Sequence, residues 1–90
     1  LVEYAAQFQK AYGRPADTFG GHAWDAAWVT LNAIKKAGDN PQKIRAEIEK
    51  TRGFVGISGV FSFSPRDHNG LTKDSFVMVQ IKRGDWALVK

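Results

Sequence analysis

Two segments of this chain are too apolar to lie open to water. A helix over residues 22–37 would carry Trp24, Ala27, Trp28, Leu31 and Ile34 on one face and Ala23, Ala26, Ala33 and Ala37 on the other, at the three- and four-residue steps that stack side chains along a helix. Only a narrow polar strip around Asp25, Asn32 and Lys35 remains. A helix apolar on most of its circumference is buried on most of it. Phe76-Val77-Met78-Val79-Gln80-Ile81 is a nearly unbroken apolar run, which suits a strand covered on both faces, as in a parallel α/β sheet. Such elements need neighbours above, below and beside them.

The rest of the chain supplies few. Leu1, Tyr4, Ala5, Phe8, Ala11 and Tyr12 mark a first helix over about residues 1–12, stopped by Gly13 and Pro15. Phe19-Gly20-Gly21 reads as a flexible joint before the long helix, which Gly38 ends. Asn40-Pro41 places a capping residue before a proline at the first helical position, so a third helix is expected over about residues 41–51. Its thin apolar content, Ile44 and Ile48, puts it at the surface, with Lys43/Glu47 and Arg45/Glu49 as charge pairs outside. Gly53 closes it, with Phe54 folding back on Ile48. Residues 56–59 look like a turn, Val60-Phe61-Ser62-Phe63 alternates like a strand, and residues 64–70 are dense in turn formers. Arg83-Gly84-Asp85 reverses the chain into Trp86-Ala87-Leu88-Val89. These elements do not close the layers. The 90 residues are expected to be a piece of a larger α/β protein, or to hide their open faces by self-association.

Composition narrows the function classes. The apolar share of 43% is that of a folding chain. The net charge of +4 divides evenly: six basic and four acidic side chains lie in residues 1–45, and seven and five in 46–90. No arm or stripe for nucleic acid results. Cys 0 removes disulfides, thiolate metal sites and cysteine nucleophiles, and leaves the redox compartment open. No stretch approaches the roughly 20 apolar residues of a membrane span. The chain opens at Leu1 without a methionine and already in helical rhythm. A cut end is expected there, so the lack of a signal peptide says nothing about secretion.

Individual residues have structural explanations. His22 with Asp25, and Asp67 with His68, imitate base–orienter pairs, but no spacing brings Ser58, Ser62 or Ser64 to them as a nucleophile. Capping, turn formation or solvent exposure accounts for both pairs, and no metal-ligand spacing is present. Trp24 and Trp28 read as core and Trp86 as a hairpin residue packing on its sheet. Arg83-Gly84-Asp85 matches an adhesion tripeptide, but a turn needs that glycine. Lys35-Lys36 complements the dipole at a helix end.

Taken in order, several motifs are familiar: Ala11-Tyr12-Gly13-Arg14-Pro15, His22-Ala23-Trp24-Asp25-Ala26-Ala27, Ala33-Ile34-Lys35-Lys36-Ala37-Gly38, the stretch Phe54-Val55-Gly56-Ile57-Ser58-Gly59-Val60-Phe61-Ser62-Phe63, and Val79-Gln80-Ile81 with Gly84-Asp85-Trp86. This succession resembles the C-terminal end of the solute-binding proteins of branched-chain amino acid type ABC transporters, over essentially the whole chain. Family members usually carry tyrosine where Trp24 stands. The loop Ser64-Pro65-Arg66-Asp67-His68-Asn69-Gly70-Leu71 is similar to that of a subgroup whose ligands include aromatic and other carboxylates.

The resemblance implies an α/β fold: a fragment of the two-lobed, hinged type I periplasmic-binding-protein fold, three helices followed by short strands and a C-terminal hairpin. Residues 1–74 would complete the N-terminal lobe, and residues 75–90 would cross into the other, with Ser75 and Phe76 as a hinge segment. Phe19, Gly20, Gly21 and His22 would face the solute, where free amides and the dipole at a helix start favour a carboxylate. The implied protein is a periplasmic receptor, or an extracellular lipoprotein, for a small amino acid or an aromatic or aliphatic carboxylate. It would serve an ABC transporter permease and be no enzyme, with no cofactor and no metal. The alternatives are an extracellular sensor domain of the same fold and, on +4 and three tryptophans alone, a small nucleic-acid-binding module. A hydrolase would need turnover that depends on His22 or His68.

Overall fold

The computed structural model describes residues 2–90; Leu1, which the helical spacing included, lies outside the described residues. Helix α1 (Val2–Tyr12) stops at Gly13, whose positive φ lets its amide reach the Gln9 carbonyl. Helix α2 (Thr18–Ala37) is capped by the Asp17 carboxylate, which accepts from the Gly20 amide at 3.0 Å, and ends at Gly38. Helix α3 (Pro41–Glu49) starts where the Asn40 side chain accepts from the amides of Gln42 and Lys43. Strands β1 (Phe54–Val55) and β2 (Val60–Phe61) form a short antiparallel pair, a 3-10 turn covers Lys73–Ser75, and β3 (Val79–Lys82) pairs with β4 (Asp85–Leu88). Arg83 and Gly84 both take positive φ between β3 and β4, as a tight hairpin loop requires.

Several local expectations are corrected. Phe19-Gly20-Gly21 is no flexible joint but the first turn of α2, because Asp17 caps the helix ahead of it. Its glycines allow close packing: a methyl group at Gly20 would strike the Tyr4 hydroxyl, and one at Gly21 would stand 2.9 Å from Ile57 Cγ2. Helix α3 ends before residue 51, since the amides of Lys50 and Thr51 reach back only three residues. Arg45 pairs with Glu49 at 3.4 Å as expected, but Glu47 pairs with Lys50 rather than Lys43. Strand β2 stops at Phe61, because the Ser62 amide donates to Gly70 and the Phe63 amide to Thr51. The apolar run 76–81 becomes a strand only from Val79.

Tertiary packing revises the two apolar segments as well. The stripe of α2 that the chain buries is Gly21, Asp25, Val29 and Ala33, one residue per turn. Asp25 therefore belongs to the buried face and not to a solvated polar strip. Trp24 and Trp28 are 39% and 40% exposed, so they are not core within this chain, although Trp24 lies 5.2 Å from the Tyr4 ring. Phe76, Val77 and Met78 are exposed, and Trp86, opposite Ile81 in the hairpin, is 72% exposed instead of packed down. Among the described residues no large side chain is fully buried. The open layers inferred from the hydrophobic pattern are open in the structure: 90 residues spread over 49 × 31 × 17 Å.

Candidate functional site

The first turn of α2 and the turn at residues 56–59 meet, and the contact is polar at its centre. Asp25, only 3% exposed, accepts from the Ile57 amide at 2.7 Å and from the Ser58 amide at 3.0 Å. Both carboxylate oxygens are thus held by backbone donors, a charge-assisted arrangement about twice as strong as neutral bonds. Gly56 makes room for it, since a methyl there would lie 2.7 Å from the Asp25 carboxyl carbon. Gly56 also donates its amide to the Gly59 carbonyl at 2.8 Å, closing the turn. One helical turn before Asp25, His22 Nδ1 and the Ser58 hydroxyl share a hydrogen bond at 3.0 Å. Ser58 reaches His22, a contact that nothing in the sequence spacing places. The Asp25 carboxylate faces the two amides and not the imidazole, so the three groups do not form a relay for nucleophilic attack.

Phe19 projects from this end of the fold with 80% of its surface exposed. Because Asp17 already occupies the Gly20 amide, a second negative group at this helix start would meet the cap carboxylate as a like charge. The first turn therefore offers an aromatic surface more than an anion site.

Asp67 and His68, the other sequence candidates, lie elsewhere. Asp67 accepts from the amides of Asn69 and Gly70, each at 3.0 Å, and these bonds, Gly70's first, hold its carboxyl below the ordinary 3.8. His68 Nε2 stands 2.8 Å from Glu49 Oε2; that hydrogen bond, with the nearby Arg45 charge, holds Glu49 below the ordinary 4.5 against the opposing effect of burial. The Asp67 bonds close loop 64–70 on itself, and the His68–Glu49 contact ties that loop to α3 beside a trough of about 410 Å³ whose walls include Val29, Ile48 and Phe61. Next to it Arg52 donates to the carbonyls of Glu49, Thr51 and Phe63, joining the end of α3 to the residue that follows β2 by two.

Depressed folded values stabilise the fold above the ordinary carboxylate pKa, and that contribution is lost as pH falls through the lowered folded values. The tie is therefore expected to loosen below about pH 4.5. Replacing His68 by alanine removes the first cause at Glu49 and should move its carboxyl up toward the ordinary value, read by carboxyl-carbon NMR titration. An unmoved Glu49 would refute the assignment.

Among the described residues no group of three metal-ligating side chains comes together, and no helix is long and apolar enough to cross a membrane. Sequence reasoning missed Asp25, Ser58 and Gly59 as members of one cluster. The available signal was a lone acid among the apolar residues of Ala23-Trp24-Asp25-Ala26-Ala27.

A model of the periplasmic binding protein family matches residues 2–85. Several solved structures are similar to the chain, two of them as follows. One is an extracellular ligand-binding receptor from Rhodopseudomonas palustris HaA2, 28% identical with a TM-score of 0.75 over 96% of this chain and 26% of that one. The other is a leucine-binding protein, LivK, from Thermotoga maritima MSB8, 27% identical with a TM-score of 0.70 over 98% of this chain and 25% of that one. The chain spans about a quarter of the length of these structures. No curated protein matches it.

Proposed function

The chain belongs to the periplasmic binding protein family, and from that premise we propose that it supplies one wall of the solute cleft in the receptor of an ABC importer. Its fold is that of part of a type I periplasmic binding protein, and its family and neighbours are ligand-binding proteins of the periplasm or cell exterior. In this reading residues 1–74 complete one lobe, residues 75–90 enter the other, and Ser75 and Phe76 form a hinge strand between them. Solute closes the lobes to the extent that the closed form binds it better, and the permease reads the closed form. The receptor is not an enzyme, and a lipid anchor would hold it outside the cell where no periplasm retains it.

The observation that carries the reading is the exposed Phe19 ring at the mouth of α2. A ring left in water by the fold is available to cover the apolar part of a leucine-like amino acid or an aromatic carboxylate. Gly20, Gly21 and His22 line the same turn, with His22 steadied by Ser58. The carboxylate of the solute is held by other parts of the receptor, since Asp17 already opposes an anion here.

The test is titration of the full-length receptor with leucine, valine, phenylalanine and benzoate by calorimetry, with compaction followed by solution scattering. Saturable binding with compaction is the expected result. The isolated 90 residues should show no saturable binding and elute larger than 10.0 kDa or melt early. A receptor inert to the whole panel, or a compact and very stable 90-residue monomer, would oppose the proposal.

A further inference from the structure

We infer that the turn at residues 56–59 is the link through which solute contact at the first turn of α2 biases the hinge at Ser75 and Phe76. The inference rests on the proposed cleft and hinge. On its α2 side the turn is gripped at four points. Gly21 lies against Ile57, Asp25 holds the amides of Ile57 and Ser58, Gly56 sits on the same carboxylate, and Ser58 bonds His22. On its far side Gly59 lies against the end of the 3-10 turn. A methyl group added there would strike the Ser75 hydroxyl and come within 3.0 Å of Ser75 Cβ and 3.1 Å of Leu71 Cδ2. The bond from Gly56 to Gly59 joins the two sides into one closed ring.

Three glycines, 21, 56 and 59, bring backbone directly onto the side chains of Ile57, Asp25 and Ser75, so each contact between the helix, the turn and Ser75 is made through a single side chain. Ser75 ends Lys73–Ser75, and residues 76–78 then carry no regular structure before β3. A displacement of the first turn of α2 thus carries the turn with it, and Gly59 passes the displacement to Ser75, where the 3-10 turn ends. Coupling of this kind needs contiguous packing and an element with two arrangements. The glycine contacts provide the first and the lobe hinge the second.

The experiment uses the full-length receptor carrying one spin label in each lobe, with leucine and benzoate as probes. Gly59→Ala, which adds a methyl against Ser75 at a φ of 146°, should alter the solute-free interlobe distance and change solute affinity at least tenfold. The order of preference among solutes should stay the same. Phe19→Ala should weaken binding and leave the solute-free distance as in the parent. Should Gly59→Ala fail to fold, Ser75→Ala removes the opposing hydroxyl without adding an atom, and is expected to shift the distance the other way. A folded Gly59→Ala receptor, or failing that Ser75→Ala, with parental distance and affinity within twofold would overturn the inference alone. A parent receptor that binds neither probe and never closes would defeat the cleft proposal and this inference together.

Discussion

Alanine in place of Asp25 is expected to destabilise the receptor by roughly 2–4 kcal/mol, because two backbone amides lose a charged acceptor and are left in a half-buried contact without one. The two bonds of Asp25, 2.7 and 3.0 Å, tie α2 to the segment after α3 across 32 and 33 residues of sequence, beside the single bond from His22 to Ser58. Asp25→Asn is the informative companion. Its amide oxygen can accept from one backbone donor, but its amino group confronts the other, so the loss should fall between parent and alanine. Thermal and urea unfolding of the three proteins would show the series. Equal stability of Asp25→Ala and parent would mean that water replaces the carboxylate at no cost, and the account of this contact would be wrong.

Phe19→Ala should have the opposite profile, with a large effect on solute affinity and almost none on folding. Covering a phenylalanine side chain is worth about 1.5–3 kcal/mol, which corresponds to a loss of roughly 10- to 100-fold in affinity if the ring is covered by solute. Because Phe19 is 80% exposed in these 90 residues, its truncation removes little packing within them, and surface changes of that sort stay within about 0.5 kcal/mol. Calorimetric titration and a melting curve on the same preparation separate the two quantities. Unchanged affinity would remove Phe19 from the cleft. A matching fall in stability would return it to a structural role.

Much of the local structure is readable from short stretches. Asn40-Pro41 caps and starts α3, Gly13 and Gly38 end α1 and α2, and Arg83-Gly84 turns the hairpin. Each of these signals acts within a few residues, through capping bonds or through positive φ. Helix α2 starts four residues earlier than the helix expected over residues 22–37. Two adjacent glycines weaken helical propensity, yet the Asp17 cap and the close approaches to Tyr4 and Ile57 favour helix there. The family, too, was legible in the order of motifs along the chain, and the match over residues 2–85 agrees with it.

The site divides along the same line. That the faces of residues 22–37 and 76–81 are too apolar for water follows from composition and period, and so does the expectation that something covers them. Which residues this chain itself covers does not follow: it buries Asp25 and leaves Trp24, Trp28 and Phe76 partly or largely in solvent. A hydrophobic pattern records a residue's preference for burial but not the partner that provides it, and a carboxylate's satisfaction depends on donors that sequence distance conceals. Asp25 reads as solvated until the chain folds back and sets the amides of Ile57 and Ser58 against it. Local chemistry therefore determined the helices, caps and turns. The meeting of α2 with residues 56–59, and of Gly59 with Ser75, was decided by the tertiary fold, because close packing between distant segments has no local signature.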